Sequence, residues 1–282
     1  MSVDASYRLS DRFSAERGTV FLTGIQALAR LPIEQLHADR RAGLNTAAFV
    51  SGYPGSPLGG FDRAVAGAAK LAPDLPIVWG GIHAQTNPGD CLEHCDVVAL
   101  GEGEYVLAEL TDRIGLNQDF TDIAGTWVKS GTRVVKNPPR MLIPDLDVLP
   151  PADLSSENKH YLGYNAWRDV ASWDANAVGY DIMMVRGCAY ECTFCIHNFT
   201  RKATEGLGTY LRRRSVDHVM EELKAAHAQR PRLKTMAFSD DIFAPPRPWL
   251  EEFCERYKRE VGLPFVIYSY PRMVDEKKVR VM

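Results

Sequence analysis

Three cysteines fall close together in the run Arg186-Gly187-Cys188-Ala189-Tyr190-Glu191-Cys192-Thr193-Phe194-Cys195. A Cys-x3-Cys-x2-Cys spacing gathers three thiolates on one short loop. Four cysteines protect every iron of an ordinary cubane iron–sulfur cluster. Three leave one iron open, and an open coordination position is what a metal site needs to bind and activate a substrate. The alternative chemistry is a zinc knuckle with His197 as fourth ligand. Structural zinc usually joins two ligand pairs, however, and the chain has no second Cys-x2-Cys or His-x3-His pair. A disulfide framework does not fit, because six cysteines in 282 residues are sparse. No secretory leader pattern opens the chain, so a reducing, cytoplasmic setting is expected.

The elements that must position this loop alternate between strand and helix. Spacing predicts a helix over Thr19 to Leu31, ended by Pro32, after a loose polar tail of about fifteen residues. A buried strand is expected from Thr46 into the turn Tyr53-Pro54-Gly55-Ser56-Pro57, with a small-residue helix from about Phe61 to Leu71. Further strands are expected at 76–79 and 96–100, closed by Gly80-Gly81 and by Gly101-Glu102-Gly103-Glu104, then a helix to about Arg113. Alternation of this kind points to a parallel α/β sheet. Prolines then break the pattern from Gly115 to about Gly179, which reads as a connector with a short strand pair at 126–136.

Asp181 to Val185 reads as the strand that delivers the cysteine loop. Ser215 is an expected N-cap ahead of Val216, Val219, Met220 and Leu223 on one helical face. A strand over 235–238 leads into Ser239-Asp240-Asp241, a helix over about 248–261 carries Cys254 beside its apolar stripe, and a strand over 265–270 precedes a last helix start. The order is strand–helix–strand–helix–strand, as in the first half of a (β/α) barrel. The expected domains are therefore 1–114, a connector over 115–179, and 180–282.

Bulk composition narrows the function. A hydrophobic content of 45% suffices for a buried core, and a net charge of −3 with interspersed signs gives no nucleic-acid surface. The densest basic cluster, Arg212-Arg213-Arg214, reads as a solvated face. No run approaches the roughly 20 apolar residues of a membrane span.

The cysteine loop, with Phe194 before its third cysteine, resembles the signature of the radical S-adenosylmethionine (radical SAM) enzymes. From about residue 70 onward the chain resembles those members that carry an N-terminal cobalamin-binding domain. The matching stretches are Pro76 to Ala84, Gly101-Glu102-Gly103-Glu104, Leu146 to Pro150, the cysteine loop, and Asp240-Asp241-Ile242-Phe243. The resemblance implies an α/β fold: a Rossmann-like parallel-sheet domain followed by an incomplete radical SAM (β/α) barrel, whose later strands would begin beyond Met282. It implies that Cys188, Cys192 and Cys195 hold a [4Fe–4S] cluster, whose open iron chelates SAM for reductive cleavage to a 5′-deoxyadenosyl radical. Phe194 would shield SAM, and Asp240 and Asp241 would meet its ammonium group.

Gly80, Gly81, His83, Gly101, Glu102 and Gly103 are the candidate contacts to a corrin. They follow strands at the edge where parallel sheets bind ligands, and His83 is a candidate axial ligand to cobalt. Tyr268 and Arg272 are further candidates to reach SAM or substrate. The expected reaction is radical hydrogen abstraction or cobalamin-dependent methyl transfer on an unidentified small molecule, driven by a one-electron reductant such as ferredoxin or flavodoxin.

Residues about 10–65 resemble another family. Tyr7 to Phe13, Val20 to Leu28, Gly43 to Thr46 and Ser51 to Gly60 are similar to the start of the indolepyruvate ferredoxin oxidoreductases, which use thiamine diphosphate. The two resemblances meet near residues 63–73, so a hybrid first domain is expected.

Overall fold

The structure, a computed structural model, describes residues 7–15, 17–48, 50, 60–69, 76–157, 159–163, 166–169 and 177–282. Contacts divide the chain into two units, Met1–Met141 and Leu142–Met282. In the first, a single turn, α1 (Asp11–Ser14), stands where a loose tail was expected, and Phe13 packs on the core formed by Ala29, Ile33 and Ala68. The long helix α2 (Gly24–Arg41) starts at a capping box: Thr23 Oγ1 accepts from the Gln26 amide while the Gln26 side chain accepts from the Thr23 amide. This cap moves the start from Thr19 to Gly24. Pro32 does not end the helix. It removes one intrahelical bond, a loss of about 3 kcal/mol in an isolated helix, but Ala29, Ile33 and Leu36 keep one buried stripe running through it. Helix α3 (Phe61–Ala69) supplies Ala68 to the same core.

Residues 46–48 and 50 form no strand, and Phe49 and residues 51–59, with the expected turn at Tyr53–Pro57, lie outside the described residues.

The first unit's sheet has the order β1 (Val78–Trp79), β2 (Val97–Ala99), β3 (Thr126–Ser130), β4 (Arg133–Lys136). Only β1 and β2 run parallel; β2–β3 and β3–β4 are antiparallel. The expected parallel sheet is thus a mixed one. The β3–β4 pair is closed by a two-residue turn in which Gly131 takes φ +60°, a conformation that hairpin turns require and that glycine adopts without strain, while β3 is returned against β2 after α6 (Gly103–Gly115) and residues 116–125. Strand β2 is covered on both faces. Val98 packs with Ala84, Cys91, Leu92 and Cys95, and Val97 packs with Val106, Leu110, Ile123 and Val128. Ala84 comes from α4 (Ile82–Thr86), Cys91 and Leu92 from α5 (Pro88–Leu92), Val106 and Leu110 from α6 and Val128 from β3, while Cys95 and Ile123 lie in the connecting segments.

The second unit begins with a strap rather than a free connector. Leu142, Ile143 and Leu146 are buried. The Leu142 amide donates to Leu207 O (2.8 Å) and Arg212 Nη1 to Ile143 O (2.7 Å), while the Ser215 amide donates to Asp147 Oδ1 (2.9 Å). An antiparallel pair, β5 (His160–Gly163) and β6 (Ala166–Asp169), follows. The main sheet is parallel throughout, in the order β11 (Phe265–Ile267), β10 (Thr235–Phe238), β7 (Gly179–Ile182). A short antiparallel pair, β8 (Val185–Arg186) with β9 (Arg212–Arg213), frames the loop between them. Helices α7 (Ile196–Ala203), α8 (Val216–Gln229), α9 (Arg247–Glu260) and α10 (Glu276–Val281) complete the unit.

Ser215 caps α8 by accepting from the His218 amide, and Val216, Val219, Met220 and Leu223 are buried. On α9, Leu250, Phe253, Cys254 and Tyr257 form the buried stripe. Phe238, fully buried at the end of β10, meets Phe243, Phe253 and Phe265 at ring-centroid distances of 5.8, 5.4 and 5.5 Å.

The arginine run is not a solvated face. Arg212 is buried, Arg213 lies over the Trp249 ring at 5.6 Å, and Arg214 donates to Glu222 Oε2 (2.6 Å), itself buried beside Tyr180. Among the described residues no helix is long and apolar enough to cross a membrane.

Truncating Phe238 to Ala removes the ring at the centre of the second unit. The expected loss is about 3–5 kcal/mol of unfolding free energy, read as a lowered urea midpoint. Val266→Ala, at a position on β11 that is 52% exposed, is expected to change stability by less than about 1 kcal/mol. Equal losses at the two positions would contradict this placement of the core.

Candidate metal centre

The cysteine loop leaves β8 through Gly187, which adopts φ +86°. A Cβ on this residue would stand 2.5 Å from the Tyr210 carbonyl oxygen, which is backbone and has no flexible end to yield. Only glycine serves here, on grounds of both conformation and space. Cys188 follows, buried at 8% exposure, whereas Cys192 and Cys195 are half-buried. The Tyr190 amide points to Cys188 Sγ at 3.5 Å, and the Cys195 amide closes a turn on Cys192 O at 2.9 Å.

Helix α7 starts immediately after Cys195, its N-cap residue, and staples the loop from behind. Asn198 Nδ2 donates to Cys192 O (2.7 Å), and Arg201 Nη2 donates to Cys188 O (2.5 Å) and Tyr190 O (3.4 Å). The protein's own hydrogen bonds therefore fall mainly on the loop's carbonyls and leave the sulfurs available.

The remaining three cysteines are of a different kind. Cys91, Cys95 and Cys254 are at most 2% exposed. Burial pushes all three thiols above their ordinary pKa, Cys95 to about 12. They are core residues, as expected for Cys254 from its place beside the α9 stripe. His197, the fourth ligand of the zinc-knuckle alternative, is held by hydrogen bonds. Both ring nitrogens of His197 are engaged, Nδ1 with Tyr210 Oη and Nε2 with Asp241 Oδ2 at 2.7 Å. Three thiols on one loop, with an N–H directed at one sulfur and the His197 ring hydrogen-bonded at both nitrogens, fit a cluster with one unprotected iron.

The two aspartates at the end of β10 are placed differently. Asp240 is 2% exposed; its Oδ1 accepts from the Met184 and Val185 amides, both at 2.8 Å, just ahead of the loop. Burial raises its pKa, opposed by those two donors and by Arg213, and its buried Oδ2 has no hydrogen-bond partner among the described residues. The Asp241 side chain is 60% exposed and bonds His197. Neither caps α9, whose N-cap is Pro246. Phe194 projects outward at 92% exposure. Tyr270, just past β11, meets Tyr190 of the loop with ring centroids 5.1 Å apart, and Tyr268 O accepts from the Phe243 amide.

The structure thus brings Cys188, Cys192, Cys195, Phe194, Asp240 and Asp241 together around one loop. The clamp formed by Tyr210, Arg201 and Asn198 escaped the sequence reading. Only the presence of two hydrogen-bonding residues within two turns after Cys195 hinted at it.

The other candidates form a second group, in the first unit. Gly80 and Gly81 follow β1, and Gly101, Glu102 and Gly103 follow the parallel neighbour β2. Gly81 and Gly101 both have positive φ, 90° and 79°. Gln85 Nε2 donates to Gly101 O (3.3 Å), linking the two loops. His83 is exposed and its Nε2 lies 3.2 Å from Asp90 Oδ2, so the side chain already has a partner.

No family model matches the chain. A protein named as an uncharacterised methyltransferase of Pyrococcus horikoshii is 28% identical over 225 residues, 76% of this chain and 45% of its own length. The cobalamin-dependent radical SAM methyltransferase TokK of Streptomyces tokunonensis is 32% identical over 137 residues, 44% of this chain and 18% of its own. Among solved structures, the radical SAM methyltransferase TsrM from Kitasatospora setae, with cobalamin and a [4Fe–4S] cluster bound, aligns with a TM-score of 0.55 at 22% identity. That alignment covers 79% of this chain and 42% of TsrM. The likeness to TsrM is one of fold, and the chain spans less than half the length of each of these three relatives.

Replacing Gly187 with Ala is expected to abolish iron uptake on anaerobic reconstitution, to below about a tenth of the wild-type content. The strand and helix content should be unchanged by far-ultraviolet circular dichroism. Positive φ alone disfavours the substitution by about 1–2 kcal/mol, and the contact with Tyr210 adds to it. Wild-type iron content in this variant would show that the loop geometry is not needed.

Proposed function

We propose that this chain is a cobalamin-type radical SAM protein, with Cys188, Cys192 and Cys195 as the ligands of a [4Fe–4S] cluster. The observation that carries the reading is the cysteine loop: three thiols on a backbone fixed by Gly187, Asn198 and Arg201, with the neighbouring histidine already occupied. The likeness in fold to TsrM and the sequence similarity to TokK support it. The parallel sheet β7–β10–β11 reads as the opening half of the radical SAM barrel. The loops after β1 and β2, with Gly80, Gly81, His83, Gly101, Glu102 and Gly103, read as the side of a hybrid first domain that faces cobalamin.

A cluster of this type with SAM on its open iron supplies an electron for reductive cleavage of SAM, in service of hydrogen abstraction or, with cobalamin, methyl transfer. The chain's own residues have simpler tasks. Asp241, exposed and acidic, accepts from the SAM ammonium group, a charge-assisted bond suited to that cation. Asp240 holds the strand ahead of the loop, and Phe194 covers one side of the ligand. The substrate is a small molecule, and the electron donor is a one-electron reductant of the ferredoxin or flavodoxin type in a reducing, cytoplasmic setting. For residues about 10–65 we keep the resemblance to the indolepyruvate ferredoxin oxidoreductases as a statement about that segment's ancestry only.

Anaerobic reconstitution with iron and sulfide tests this reading. The expected result is about four irons per chain and a reduced electron paramagnetic resonance (EPR) spectrum that changes when SAM is added. Cys188→Ala, Cys192→Ala and Cys195→Ala should each lose the cluster, while Cys254→Ala should keep it. Zinc in place of iron, or a spectrum indifferent to SAM, would overturn the proposal.

A further inference from the structure

Asp241 is exposed and sits at the end of a strand, where a carboxylate normally samples several rotamers and a ligand must freeze it at an entropic cost. Here it is already held. His197 Nε2 lies 2.7 Å from Asp241 Oδ2, and His197 belongs to the first turn of α7, directly after the third cysteine. The other ring nitrogen meets Tyr210 Oη, which in turn lies 2.6 Å from Thr200 Oγ1. With Asp241 Oδ2 accepting from Nε2–H, a neutral His197 ring accepts at Nδ1 from the Tyr210 hydroxyl, and either ring form keeps both contacts.

Tyr210 is itself fixed on the loop's other side. The Arg201 guanidinium lies 4.8 Å over its ring while also donating to Cys188 O, and the Tyr210 carbonyl presses on Gly187. The same tyrosine therefore touches the start of the loop and, through His197, the carboxylate beyond it.

We propose that Tyr210 and His197 are positioning residues that tether Asp241 to the cysteine loop, so that the acid and the three thiols keep one fixed separation. The inference rests on the reading above, in which Asp241 meets the SAM ammonium group. The tether presents that acceptor already oriented, and binding of SAM does not have to order it.

The test uses reconstituted holoprotein as wild type, Tyr210→Phe, Asp241→Asn and the double variant. Tyr210→Phe keeps the ring beneath Arg201 and removes only the hydroxyl. Iron content is measured first, then the SAM dissociation constant from the EPR change on titration. All four proteins are expected to hold about four irons. Each single variant should bind SAM about tenfold more weakly, the scale of one charge-assisted hydrogen bond. The double variant should bind no more weakly than Asp241→Asn alone, because residues acting through one contact are not additive.

Wild-type SAM affinity in Tyr210→Phe would overturn the tether, as would multiplying effects in the double variant. Loss of iron in Tyr210→Phe would also overturn it, by showing a role in building the loop instead. A wild-type cluster that ignores SAM would sink the functional reading and the tether with it. A responsive wild type with an unaffected Tyr210→Phe sinks the tether alone.

Discussion

The second unit hangs on a buried carboxylate. Asp240 lies almost wholly out of water and spends one oxygen on two successive backbone amides, those of Met184 and Val185. Removing a carboxylate from solvent is unfavourable unless it is hydrogen-bonded, and two amide donors on one oxygen are what offset that here. The result joins the end of the central strand β10 to the segment that turns into β8. The cysteine loop leaves from that segment one residue later, so its position relative to the sheet follows from this clasp. On the far side, Tyr210, Arg201 and Asn198 complete the enclosure. The loop is thus held by backbone contacts at both ends, and its thiols do not have to hold it.

The first unit solves a similar problem with less. Its two glycine-bearing loops follow neighbouring parallel strands, and β2 is packed on both faces by apolar residues. With no Cβ on Gly80, Gly81, Gly101 and Gly103, backbone is exposed along the edge. A broad, flat ligand needs that kind of surface more than it needs any single side chain.

Legibility in the sequence followed the range of the interactions concerned. The Ser215 cap, the buried stripes of α8 and α9 and the strand pair at 126–136 are all set within a few residues, and they read correctly. Pro32 misled because its local cost was outweighed by packing of Ile33 and Leu36 beyond it. The first sheet was read as parallel because alternation gives strand order but not strand direction; β3, reached after α6 and residues 116–125, runs against β2. The three consecutive arginines looked like surface charge. Their partners, Ile143, Trp249 and Glu222, are distant in sequence, and no pattern in the run announced them. The aspartate pair read as two equal ligands, yet the alternation of a strand end put one carboxylate in the core and the other in solvent.

The partition of the six thiols has a consequence for how this protein ages in air. Cys91, Cys95 and Cys254 are sealed in the core, and burial holds their protons on, so they present little thiolate to an oxidant. Thiol oxidation is therefore directed to the cysteine loop, where Cys192 and Cys195 are half-buried. Any disulfide formed there draws on neighbours within the same turn and leaves the hydrophobic core intact. A sample whose loop thiols have paired should keep its fold, and thiol reductant should recover the loop without refolding the protein.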